Sequence, residues 1–457
     1  MRLLLIVICL SAFILMCAQK KDVTGGVDKV ELMVVNPGHF HAGLVQKKMY
    51  KQVSPVVHVY APEGPDVENY LNQIKIYNQR EQNPTTWETV TYRGTDYLEQ
   101  MLAEKPGNVM VTSGKNRNKT RYIKAAVDSG IHVLADKPMC IDKAGFELLK
   151  EAFETAEENN ILLYDIMTER YQASTILQKE LSRNPQVFGE LLSGSMEKPA
   201  VVKESVHHFY KMVSGSPIRR PVWYFDVDQQ GEGIVDVTTH LVDLIQWECF
   251  PNEIIDYQSD IEMLSARHWP TEITRAEFIK VTRQPDFPDF LQKNIENGVL
   301  NVFCNGEMHY KIKDIHAKVS VIWRYEAPEG AGDTHYSIMC GTKSDLIIRQ
   351  GDEQGYRPEL YVEPVVEMTD RELESVIEAA LENLSSPYPD LGYQKTEKGV
   401  QILIPDNYRI GHEAHFAQVT EKYLKFLKQG ALPDWEVPNM LAKYYTTTSA
   451  LEMARTD

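Results

Sequence analysis

Val30–Gly43, VELMVVNPGHFHAG, decides the fold. Val30-Glu31-Leu32-Met33-Val34-Val35 is a short apolar run of the kind that forms a buried parallel strand, and Asn36-Pro37-Gly38 ends it. His39-Phe40-His41-Ala42-Gly43 then opens a helix, so the stretch predicts strand, tight turn and helix, the start of a βαβ unit. A dinucleotide-binding turn of this type uses glycines so that amide N–H groups at the helix start can approach a pyrophosphate. Asn36, Gly38 and His41 occupy the spacing of the three glycines in G-x-G-x-x-G, and only Gly38 matches. Taken alone, that pattern favours an ordinary strand–turn–helix.

Outward from this stretch the alternation of short apolar runs and helical segments continues. Val56–Tyr60 reads as a second strand, and Glu63 stands just beyond it, where a dinucleotide fold places an acid on the adenosine ribose; a solvated loop carboxylate is the plainer alternative. Asn108–Thr112 is a further strand, followed by the polar loop of Ser113, Gly114, Lys115 and Asn116. Ile131–Ala135 is another, and Asp136-Lys137-Pro138 follows at its end. A lysine at the C-terminal edge of a parallel strand is where an open α/β sheet gathers its ligands. If this sheet holds a dinucleotide, Asn36, Gly38, His39, Phe40, His41, Glu63, Ser113, Asn116, Asp136, Lys137 and Pro138 are the cofactor contacts to expect.

A second signal lies downstream in Gln230–Phe250, QGEGIVDVTTHLVDLIQWECF. Asp236, His240 and Asp243 follow a Gly-x-Gly turn at intervals of four and three, which places them on one helix face, while Ile234, Val237, Leu241, Leu244 and Ile245 form an apolar arc. The spacing by itself describes a solvated amphipathic helix as well as a site.

The order of these pieces is more specific than any one of them. Gly130-Ile131-His132-Val133-Leu134-Ala135-Asp136-Lys137-Pro138, Thr168-Glu169-Arg170-Tyr171, Val187-Phe188-Gly189-Glu190, and Gly231-Glu232-Gly233 with Asp236, His240 and Asp243 resemble the glucose–fructose oxidoreductase / inositol dehydrogenase / MocA family. The resemblance spans roughly residues 29–350, with a late echo at Ile338–Thr342 and in helices around Phe416–Leu427 and Asn439–Leu451. It implies an N-terminal Rossmann domain with a parallel sheet, residues 29–165, which binds NAD in preference to NADP. A C-terminal α/β domain with a large open, mostly antiparallel sheet, residues 166–457, would carry the substrate site. Lys137 matches the family's lysine beside the nicotinamide, Asp236 its substrate-orienting acid and His240 its acid/base, whereas Asp136 replaces a glutamate and Asp243 is expected to be supporting. The family's open sheet often packs between subunits, which implies a homo-oligomer.

The chemistry suits these residue types. Oxidising a secondary alcohol removes a hydroxyl proton while hydride leaves the same carbon; histidine handles the proton and lysine stabilises developing alkoxide charge. Val206–Lys211 and Arg219–Asp226 mix aromatic, basic and acidic groups, as a sugar site does, so Arg170, His208, Lys211, Tyr224, Asp236 and His240 are the expected substrate contacts.

Net charge of −17 and the lack of a long basic run exclude a nucleic-acid partner. Arg2 followed by the apolar run Leu3–Met16 reads as an export signal, residues 1–20, with Cys17 as a candidate lipidation site and membrane contact only through that anchor. The expected location is the periplasm, free or as a membrane-anchored lipoprotein. Cys140, Cys249, Cys304 and Cys340 are too scattered for a disulfide framework. No metal is expected: His412 and His415 are three apart, not the four of a zincin helix. Residues 284–330 and 351–411 read as loops or insertions from their proline, glycine and charge.

The chain is thus expected to be an exported, NAD(P)-dependent oxidoreductase interconverting a sugar or glycoside hydroxyl and its keto form. Two alternatives remain: an NAD-dependent glycoside hydrolase working by transient oxidation and elimination, and a non-catalytic sugar-binding lipoprotein of the same fold.

Overall fold

The computed structural model describes residues 26–213 and 216–456. The export signal and Cys17 lie outside the described residues. No helix of the described residues is long and apolar enough to cross a membrane.

The first sheet is parallel and six-stranded: β1 (Leu32–Val35), β2 (Val56–Ala61), β3 (Glu88–Arg93), β4 (Val109–Thr112), β5 (His132–Asp136) and β6 (Leu163–Ile166), in the order β3-β2-β1-β4-β5-β6. All four residues of β1 and of β4 are buried, as expected for strands covered on both faces. Strand order reverses at β1, so a crevice forms between the C-terminal ends of β1 and β4. The helix after β1 is a single turn, His41–Leu44.

The second sheet has ten strands and is antiparallel except where Val201–Tyr210 pairs in parallel with Ile315–Glu326. Residues 284–330 are not loop throughout: Val299–Ile312 and Ile315–Glu326 are long strands, second and third from one edge of this sheet. Their period-two burial is the cause, because Leu300, Val302, Cys304, Met308, Tyr310 and Ile312 all face inward while charged neighbours face out. Within 351–411, Glu359–Pro364, Val400–Leu403 and Gly392–Lys395 extend the same sheet at its edge.

The last two helices, His412–Gln429 and Glu436–Thr456, return to the first domain. Phe416, Tyr423, Leu427 and Tyr444 belong to the same buried cluster as β1 and β5. A boundary at 165 therefore separates sequence but not packing.

Helix Thr238–Cys249 packs against the second sheet and the last helix and is buried on nearly every side, so it is not the solvated helix its spacing allowed. Gly233 passes so close to the neighbouring strand that a Cβ there would lie 1.7 Å from the Cys304 carbonyl oxygen. Gly231 adopts φ +93°, a region that favours glycine. The Gly-x-Gly element thus steers the chain tightly into the helix.

Candidate active site

Helix Thr238–Cys249 is fixed by buried charge at its middle and near its C-terminal end. Asp243 accepts from Arg170 Nε at 2.7 Å and Nη2 at 2.6 Å, and from Lys443 Nζ at 2.8 Å. Arg170 also meets Glu436 at 3.0 Å, and Lys443 meets Asp165 at 2.7 Å. Further along, Glu248 accepts from Lys203 at 2.7 Å. Burial raises the Asp243 carboxyl pKa, but the Arg170 and Lys443 charges overcome it and hold the group below its ordinary value. Arg170 is thus committed to Asp243 and Glu436 and is not free for a substrate, a correction to the sequence-based expectation.

Asp236 lies in the turn before the helix, not on its face. It accepts from Lys137 Nζ at 2.7 Å and from Gln230 Nε2 at 3.0 Å. The Lys137–Asp236 pair joins the C-terminal edge of β5 to the helix of the second domain. Burial raises the Asp236 pKa, and the adjacent Lys137 charge and hydrogen bond bring it below the usual carboxylate value. Its partners are lysine and glutamine rather than His240, whose Nδ1 is buried without a partner among the described residues. Burial, then the Lys137 charge, pushes the His240 imidazole down to about 3. The ring is neutral throughout the physiological range.

His240 faces a cavity of about 630 Å³, within the range of small-molecule sites. Most of the residues that line it are of polar type, among them Glu169, Gln172, Ser205, His207, Asp333 and Arg409. Asp333 is tied to His207 and His208 at 3.2 Å each and to Lys211. His207 lines the cavity; His208, the expected contact, is buried behind it. Tyr224 lines a different cleft, described next, with Arg220 over its ring at 4.7 Å. Glu169, His207, Asp333 and His335 escaped the sequence reading. Glu169 could have been found as an acid just past a parallel strand, but no local signal marks Asp333.

The second cleft, about 600 Å³, opens at the C-terminal ends of β1 and β2 and includes Asn36, Gly38, His39, Phe40 and Glu63. Its far wall comes from the second domain, where Trp223 Nε1 donates to Asp66 Oδ1 at 3.3 Å. Gly38 and His39 N–H groups donate to the Ser113 carbonyl at 3.0 and 3.4 Å, but those of Phe40 and His41 have no partner among the described residues. With Lys115, Arg219 and Arg220 on the wall, open amides and cations meet a pyrophosphate's needs, and Glu63 meets those of a ribose. A dinucleotide fits this donor set.

The other expected cofactor residues are interior to that cleft. Ser113 Oγ donates to Asp136 Oδ2 at 2.7 Å, and Asn116 Nδ2 donates to the Gln230 carbonyl at 2.6 Å. Asp136 faces His41, and Pro138 is buried after a cis Lys137–Pro138 bond. Lys119, buried, donates to the Asp136 carbonyl at 2.8 Å and is pushed down to about 8, chiefly by burial.

Comparison with known proteins agrees with this architecture. Residues 177–455 match the family described as "Putative oxidoreductase C terminal domain". The chain is similar to a putative oxidoreductase from Parabacteroides merdae ATCC 43184, with 57% identity, TM-score 0.92, and coverage of 94% of this chain and 98% of that one. A putative oxidoreductase from Thermotoga maritima shares the fold at 14% identity and TM-score 0.59, covering 93% and 98% of the two chains. Levoglucosan dehydrogenase, solved in complex with NADH, shares it at 11% identity and TM-score 0.59, covering 94% and 97%. No curated protein matches the sequence. The chain shares its two-sheet fold with these solved oxidoreductases, and it belongs to the putative oxidoreductase family that its C-terminal domain defines.

Proposed function

We propose that this protein is an NAD(P)-dependent oxidoreductase that interconverts a sugar or glycoside hydroxyl and its keto form. The observation that carries the proposal is the Lys137–Asp236 pair at 2.7 Å, which joins the dinucleotide-type sheet to the helix carrying His240 over a polar cavity. When bound in the cleft at Phe40 and Glu63, the dinucleotide supplies the hydride acceptor. Lys137 stabilises negative charge developing on the substrate oxygen. Asp236 positions that ammonium and offers its remaining acceptor capacity to a neighbouring hydroxyl. Neutral His240 takes the hydroxyl proton, and the imidazolium so formed faces the carboxylates of Glu169 and Asp243, both of which act to raise its pKa. A cavity rich in hydroxyl, amide and imidazole groups suits a neutral polyol better than an apolar alcohol.

The proposal includes an exported location, on the strength of Arg2, the apolar run Leu3–Met16 and Cys17. An exported enzyme of this type must hold and recycle its dinucleotide. Incubation of the protein with NAD and a set of glycosides, followed by product analysis, tests the reaction. A keto-sugar formed with one reduced nicotinamide supports the proposal; free sugar without reduced nicotinamide indicates the hydrolase instead.

A further inference from the structure

The side chains of His39, His41 and Asp136 form a cluster that the proposed reaction does not use. His41 Nδ1 lies 3.0 Å from Asp136 Oδ2, and His39 Nδ1 lies 3.8 Å from the same oxygen. The two imidazoles meet edge to face with centroids 4.0 Å apart. Ligand atoms held tetrahedrally at about 2.0 Å from one zinc-like ion are roughly 3.3 Å from each other. Both histidine–carboxylate distances are within roughly half an ångström of that spacing, and all three ligand atoms lie within 4.8 Å of one another.

A line of polar contacts runs back from the cluster. Glu169 Oε1 faces His412 Nδ1 at 3.5 Å, His412 Nε2 faces His41 Nε2 at 3.3 Å, and His41 Nδ1 faces Asp136 Oδ2 at 3.0 Å. The His412–His41 and His41–Asp136 contacts are hydrogen bonds, for which two neutral imidazoles bring one hydrogen apiece, and the contact to Glu169 is the longest of the three. If His412 donates to Glu169 and His41 donates to His412, the lone pair of His41 Nδ1 is left against a carboxylate oxygen. That oxygen already accepts from Ser113 Oγ at 2.7 Å. His39 Nδ1, facing the same oxygen, is itself buried without a partner among the described residues. The nearby lysines are committed elsewhere: Lys119 to Asn116 and the Asp136 carbonyl, Lys137 to Asp236.

We propose that His39, His41 and Asp136 bind a divalent transition-metal ion of the zinc class. Glu169 and His412 then orient His41 through its far nitrogen, the carboxylate–histidine–metal arrangement common at such sites. Three protein ligands leave a fourth position for water or an anionic oxygen, and His39 lines the dinucleotide-type cleft from which that oxygen would come. Sequence spacing alone could not find the set, because His39-x-His41 and Asp136 meet only through the β1 and β5 turns.

The test uses the metal alone, so its failure leaves the redox reading untouched. The full chain, stripped with a chelator and dialysed, is titrated separately with Zn²⁺ and Co²⁺. The expected result is one ion per chain, the intense visible bands of four-coordinate cobalt, and a thermal midpoint that rises with metal. His39→Ala should abolish stoichiometric binding, and His412→Gln should keep one ion while weakening it by about 10–100-fold. Circular dichroism checks each variant's fold; should His39→Ala not fold, His39→Gln carries the same test. Absence of stoichiometric binding, or binding unchanged in the His39 variant, overturns the proposal.

Discussion

Replacing Asp243 by asparagine keeps the shape of the side chain and removes its charge. In the native protein the carboxylate takes two hydrogen bonds from Arg170, at 2.7 and 2.6 Å, and one from Lys443 at 2.8 Å. The three side chains are 1%, 5% and 0% exposed for Asp243, Arg170 and Lys443, so water can replace none of these bonds. Removing one partner of such a buried pair costs about 3–5 kcal/mol, because the stranded cations stay buried. Glu436 and Asp165 still pair with Arg170 and Lys443, which places the expected loss near the bottom of that range, about 3 kcal/mol. Urea unfolding of wild type and Asp243→Asn, followed by circular dichroism, measures it as a lower midpoint. Because the cluster links β6, helix Thr238–Cys249 and the last helix, both halves should loosen together. A variant within about 1 kcal/mol of wild type that has lost turnover would refute the argument and make Asp243 a group that meets substrate.

Three further outcomes follow from the geometry. Lys137→Met should lower kcat by about 10²–10³-fold while dinucleotide binding, followed by fluorescence, persists. His240 and His335 are pushed down by burial to about 3 and about 4, against about 6.5 when unfolded. Below pH 6.5 the unfolded chain binds protons that the folded one refuses, so stability is complete above that pH and falls as acid is added. Those two rings set a ceiling of roughly 2.7 kcal/mol per pH unit, and unfolding midpoints between pH 7 and pH 5 check it; a flat profile would contradict it. For the same reason kcat/KM for oxidation should show no acid limb near pH 6.5 arising from His240. A limb there that disappears in His240→Gln would count against its neutral, buried state.

The Rossmann half was legible because its strands are contiguous apolar runs ended by turn residues, as at Val30–Val35 and Ile131–Ala135. Lys137 and Asp236 were legible as types at strand and helix ends, although their direct bond was not, since nothing local records a contact between residues so distant in sequence. Asp236 was expected to orient substrate; in the folded chain it also holds the Lys137 ammonium. Val299–Ile312 and Ile315–Glu326 were misjudged because composition was weighed over alternation. Arg170 reads as a substrate contact in the sequence because its partners in the folded chain, Asp243 and Glu436, lie far from it along the sequence.

The central claim is that this fold holds a nicotinamide dinucleotide and passes hydride to it from a sugar hydroxyl. The most direct measurement is to denature the purified protein, assay the released nicotinamide, and then record reduced-nicotinamide absorbance on adding NAD and glycosides to the native form. The account predicts stoichiometric nicotinamide, either carried or taken up, and reduction that depends on both sugar and Lys137. Absence of released nicotinamide together with absence of binding of added NAD would contradict it.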